Sequence, residues 1–75
     1  MQVTTNDGVR FQGTPTQIVT QMRLAAHVPS ATNQIYMTTV ASQVMLWNTA
    51  TIATTDEDAF VQSLLDAGLL QQSTD

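Results

Sequence analysis

Val3-Thr4-Thr5-Asn6-Asp7-Gly8-Val9-Arg10-Phe11-Gln12-Gly13-Thr14-Pro15-Thr16-Gln17 decides the fold, because a hairpin turn and a helix start follow one another inside it. Side-chain parity sets the length of the turn. A three-residue Asn6-Asp7-Gly8 loop with Gly8 left-handed pairs Thr5 with Val9 and Val3 with Phe11, which gathers Val3, Val9 and Phe11 on one face. Gln2, Thr4, Arg10 and Gln12 then form the wet face of an antiparallel sheet. A two-residue Asp7-Gly8 loop would pair Thr4 with Phe11 and split the apolar set, so the longer loop is preferred. Beyond the hairpin, Thr14 can cap a helix, Pro15 suits its first position, and Gln17 stands where a capping box needs Glu or Gln.

Working outward, this first helix runs to about Ala26 with Ile18, Met22 and Ala25, flanked by Val19 and Ala26, as its apolar stripe. Pro29 stops it by forcing Val28 out of the helical region. Ser30 is the expected cap of a second helix through about Trp47, apolar on more than one face and therefore central. Thr49-Ala50-Thr51-Ile52-Ala53-Thr54, rich in β-branched residues, reads as a strand with Ala50, Ile52 and Thr54 on one face. A third helix follows, capped by Thr54 or Thr55, with Asp56, Glu57 and Asp58 at its positive end and Phe60, Val61, Leu64 and Leu65 as its buried stripe. Gly68 ends it, with Leu69 folding back as in a Schellman cap, and the polar residues from about 71 are expected to fray.

The expected order is β-β-α-α-β-α across residues 1–75, a single small α+β domain with a three-stranded sheet and three helices packed on one face. Two helices between the second and third strands reverse the chain twice. The third strand should then run parallel to the first, in strand order 2-1-3.

Composition narrows function by exclusion. At 8.1 kDa and 43% hydrophobic, with a mean hydropathy of −0.01, the chain can bury a core but has no room for two lobes. Net stability on the order of 4–11 kcal/mol follows from the usual value per residue. Only 11% of residues are charged, against about 25% in average proteins, and two Lys+Arg against six Asp+Glu leave a net charge of −4. Arg10 and Arg23 cannot form the basic stripe that a nucleic acid or an anionic membrane requires, so neither is an expected partner. Zero cysteines remove disulfides, thiolate metal sites and cysteine nucleophiles. The first residues carry neither a basic nor an apolar signal region and no apolar run is long enough to span a bilayer, so a soluble cytoplasmic protein is expected. Thr and Gln stand where Lys and Glu would be usual. That is either lineage bias or engineering, or else a surface meant to be covered, since uncharged groups cost less to desolvate.

No residue pattern points to catalysis. His27, the sole histidine, has no acid nearby in sequence and reads as a partner for the carbonyls ending the first helix. Asp56-Glu57-Asp58 lacks the alternation of a calcium loop and reads as dipole compensation. The abundant hydroxyls have no activating base in a nucleophile motif. No enzyme activity, no cofactor and no metal are therefore expected.

One group is singled out for interaction: Tyr36, Met37, Met45 and Trp47, with Val40 and Val44 adjoining. Tyr36 and Trp47 are close to three helical turns apart, so they lie along one line of the second helix. Either the line is core, or part of it is a surface shared with a partner. The preferred reading is a non-catalytic protein-interaction or assembly module, self-associating as a homo-oligomer or docking on a larger protein. The alternative is a small-molecule or metal-binding accessory domain of an enzyme.

Gly8-Val9-Arg10-Phe11-Gln12-Gly13-Thr14-Pro15, with Ile18-Val19, Met22-Arg23, Tyr36-Met37, Val40-Ala41, Ile52, Phe60 and Ala67-Gly68-Leu69-Leu70, resembles small uncharacterised bacterial proteins in which a Gly-Val-Arg-Phe strand enters a Gly-Thr-Pro helix start. Every matching element is a turn, a cap or a core residue. The resemblance implies a fold and no activity.

Overall fold

The hairpin forms in the register that parity requires. Thr5 N–H donates to the Val9 carbonyl at 2.8 Å, Gly8 N–H donates to the Thr5 carbonyl at 3.0 Å, and Val3 stands opposite Phe11. In this computed structural model, which describes residues 1–26 and 28–73 apart from the Trp47 side chain, the elements are β1 (Gln2–Thr5), β2 (Arg10–Gln12), α1 (Pro15–Ala25), α2 (Asn33–Asn48), α3 (Glu57–Asp66) and β3 (Leu70–Ser73). The class is α+β, with a three-stranded sheet and three helices.

Local chemistry places α1 where it was expected. Thr14 Oγ1 accepts from Gln17 N–H at 3.2 Å, and Gln17 Oε1 accepts from Thr14 N–H at 2.9 Å, a complete capping box. Gly13 makes the box fit: its φ is +135°, and a Cβ there would overlap the Gln17 amide oxygen. Farther along α1, Gln21 reaches back to β2. Its Nε2 donates to the Gln12 carbonyl at 2.7 Å and its Oε1 accepts from Gln12 N–H at 3.4 Å, so the amide stands where a further strand would pair.

The third strand is not where its side chains pointed. Residues 49–55 are a link without regular structure rather than a strand, and β3 is the stretch expected to fray. The link drops Ile52 into the core and ties its backbone to side chains instead of a ladder. Ala53 N–H donates to Ser63 Oγ at 3.1 Å, and Gln34 Nε2 donates to the Thr54 carbonyl at 3.1 Å. Strand order is β2-β1-β3, but β3 runs antiparallel to β1, correcting the parallel expectation. Three helices now separate β2 from β3, and that extra reversal flips the direction. The chain order is accordingly β-β-α-α-α-β.

Two caps also lie farther along than expected. Thr32, not Ser30, caps α2 by accepting from Ile35 N–H at 3.1 Å. Asp56, rather than Thr54 or Thr55, caps α3, where its Oδ1 accepts from Ala59 N–H at 2.7 Å. The end of α3 is as expected: Leu69 N–H reaches the Leu64 carbonyl at 2.9 Å and Gly68 N–H reaches Leu65 at 3.1 Å, the two bonds of a Schellman motif.

The core gathers Val3 and Leu70 from the sheet, Ile18 and Val19 from α1, Met37 and Val44 from α2, and Phe60, Val61 and Leu64 from α3. α1 and α3 pack on the sheet, while α2 rests on those two helices. The far face of the sheet presents Gln2, Thr4, Arg10, Gln12, Gln71 and Ser73, with Thr4 Oγ1 and Ser73 Oγ 3.3 Å apart. Among the described residues no helix is long and apolar enough to cross a membrane.

Candidate interaction surface

α2 differs from its neighbours in having no charge to mark an outside. Residues 24–55 contain no Asp, Glu, Lys or Arg, so this helix and both its connections are uncharged. Its inner side carries Met37 and Val44, 1% and 3% exposed, with Tyr36, Val40 and Ala41 half-buried beside them. The Tyr36 ring meets Phe60 edge-on, with centroids 6.3 Å apart. Burial raises the Tyr36 phenol above its ordinary pKa.

The outer side is a second apolar line. Ile35, Thr39, Ser42 and Leu46 follow a helical spacing of four, three and four residues and all are exposed. Ile35 is 51% and Leu46 87% exposed, with Met45 at 53% alongside. At about 1.5 Å per residue the 16 residues of α2 make a face about 24 Å long. That surface is apolar or neutral throughout.

The sequence-predicted group is therefore divided. Met37 and Val44 are core and cannot meet a partner, Tyr36 and Val40 are partly available, and the Trp47 side chain lies outside the described residues. Met45, also in that group, is 53% exposed, while Ile35 and Leu46 lie outside the group. A helix apolar all round has two lines, and only packing decides which one faces inward.

A clasp of polar groups fixes the near end of α2. Arg23 Nε donates to Asn33 Oδ1 at 2.9 Å and its Nη1 donates to the Ser30 carbonyl at 2.9 Å. Asn33 Nδ2 donates to Thr20 Oγ1 at 3.0 Å and to Glu57 Oε2 at 3.4 Å, so one amide joins α1, α2 and α3. These groups satisfy one another, and the cluster reads as structural.

Beside the hairpin tip lies a groove of about 310 Å³, lined by Val9, Phe11, Met22, Ala26 and Tyr36, with Thr5 and Asp7 among its polar groups. It accounts for Val9, which is on the expected face yet 48% exposed. Among the described residues no three His, Cys, Asp or Glu side chains could hold a metal ion. Asp56, Glu57 and Asp58 stand at the start of α3, where Asp56 is the cap. His27 lies outside the described residues.

No protein-family model, no curated protein and no solved structure matches the chain.

Proposed function

We propose that the protein is a non-catalytic interaction or assembly module, whose outer α2 face is covered by another protein surface. The single observation that carries this reading is the exposed line of Ile35, Met45 and Leu46 within an uncharged stretch of an acidic chain. Interface centres are depleted in charge and enriched in Met and other large apolar groups, whereas a solvated helix face ordinarily carries Lys and Glu. Covering the face strips no charged group of water.

A photo-crosslinking side chain at Ser42, on the outer face, tests the proposal against one at the exposed Gln62 of α3. In the native cell, Ser42 should give a discrete adduct that Leu46→Gln weakens at least tenfold, while Gln62 gives none. Equal labelling from the two positions would remove the basis for the proposal.

The groove favours a second reading, a small-molecule-binding accessory domain, because its volume of about 310 Å³ lies at the lower end of ligand pockets, roughly 300–1,000 Å³. An apolar compound held there at about 100 times its Kd would raise stability by about 2.7 kcal/mol, readable as a thermal shift that Ala26→Trp abolishes. A broad screen without a shift would leave only the first reading.

A further inference from the structure

The hairpin tip holds the one Asp-Gly pair in the chain, Asp7-Gly8. An aspartyl carboxyl can be attacked by the peptide nitrogen that follows it, closing a ring, and a side chain on the following residue hinders that closure. Glycine offers no such hindrance. Asp58 and Asp66 are each followed by alanine in or at the end of α3, where the next amide is already committed. Ala59 N–H donates to Asp56 Oδ1 at 2.7 Å, and Ala67 N–H donates to the Ser63 carbonyl at 2.9 Å. Asp7 and Gly8 are instead exposed in a turn, Gly8 has a φ of +88°, and the space where its Cβ would stand is open. The Gly8 N–H is restrained by its bond to the Thr5 carbonyl at 3.0 Å. Bonds at exposed loop tips open at little cost, so ring closure needs a local fluctuation and not unfolding.

We infer that Asp7 is a site of spontaneous isomerisation to isoaspartate, and that this modification releases the hairpin. With the turn open, the Gly8 nitrogen bonds to Cγ of the protonated Asp7 carboxyl, and the amide proton leaves with the carboxyl hydroxyl as water. The succinimide so formed then takes up water at one of its two carbonyls. Addition at Cγ restores aspartate. Addition at the main-chain carbonyl breaks its bond to the Gly8 nitrogen, leaves the chain running through Cγ, and frees the main-chain carbon as a carboxylate. Water lost equals water gained, so the composition is unchanged and no oxidant is needed. The product carries an extra backbone carbon inside the loop, and loop length sets the register of a hairpin. This tip is tied by Thr5 N–H on the Val9 carbonyl at 2.8 Å and by Val9 N–H on Thr5 Oγ1 at 3.1 Å, bonds that the lengthened loop does not keep. Thr5, Asp7 and Val9 also wall the groove, so the isomerised turn reshapes one side of it. The site is apart from the outer face of α2, and neither proposal needs the other.

Incubation of the full chain at near-neutral pH in water enriched in heavy oxygen, followed by peptide mass spectrometry, tests the inference. The peptide containing Asp7 should divide into two separable forms, the new one carrying a heavy oxygen and resisting a protease that cleaves before aspartate. Conversion at Asp7 should be at least tenfold faster than at Asp58 or Asp66. It should be absent from Asp7→Glu, whose longer side chain closes the ring far more slowly. In the converted chain the Thr5 and Val9 amides should exchange at least tenfold faster, with those of α3 unchanged. A folded chain that keeps Asp7 intact for as long as the urea-unfolded chain takes to convert it would overturn the inference. Equal conversion at Asp7, Asp58 and Asp66 would do the same, as would a converted chain in which the Thr5 and Val9 amides stay protected.

Discussion

α3 and α2 solve the same packing problem with opposite surfaces. α3 has an Asp56 cap, Glu57 and Asp58 in its first turn, exposed Gln62 and Asp66, and one buried face of Phe60, Val61 and Leu64. Its outward side is polar and acidic, and its apolar side packs into the core. α2 buries Met37 and Val44 on one side and leaves Ile35, Met45 and Leu46 on the other, with no charge between. The contrast separates apolar residues buried in the core from apolar residues that the fold leaves exposed.

The sharpest way to break the contrast is to truncate one residue of each kind. Phe60→Ala, which empties a fully buried site, should cost about 3–5 kcal/mol in urea denaturation, a large share of the net stability of so small a domain. Leu46→Ala should stay within about 0.5 kcal/mol of the parent, because the side chain is 87% exposed. Similar losses at the two positions would mean that the outer line of α2 is part of the fold. The clasp supplies the next largest effect. Asn33→Ala leaves the Arg23 and Thr20 partners short of a bond and should cost about 1–3 kcal/mol by the same measurement.

A smaller change of opposite sign is expected where α2 ends. Thr49 takes a left-handed conformation, φ 56°, that a β-branched residue adopts only under strain. Thr49→Gly should stabilise the protein by up to about 1 kcal/mol, measured as a rise in Tm. The smallest effect is a dependence on pH. Burial raises the Tyr36 phenol in the folded chain, so near the unfolded value of about 10 the unfolded chain releases its proton first. The contribution of Tyr36 is thus constant below about pH 10 and is lost as pH rises through the folded value. The decline above pH 10 should be shallower in Tyr36→Phe, which has no proton to lose, as alkaline denaturation curves of the two proteins will show.

What was legible in the sequence follows the range of each interaction. The Asn6-Asp7-Gly8 turn, the Thr14 and Gln17 capping box and the Gly68 Schellman end are settled by residues a few positions apart, and all are present. β3 was hidden because its bonds to β1 come from the backbone, while Gln71, Gln72 and Ser73 offer no alternating apolar pattern. The Thr49 to Thr54 run misled for the converse reason. Its β-branched residues fit a strand locally, yet only Ile52 is needed in the core. The Arg23, Asn33 and Glu57 clasp spans three helices, and nothing near any of the three residues announces it. In the interaction group, a pattern apolar all round could not show that Met37 and Val44 face inward.

Methionine supplies the most direct measurement, because α2 carries one on each side. Met37 is 1% and Met45 53% exposed, so dilute peroxide followed by mass spectrometry should oxidise Met45 quickly and Met37 slowly in the isolated protein. In the native cell a covered outer face should slow Met45 toward the rate of Met37. Met45 oxidising as fast in the cell as in dilute solution would contradict the account.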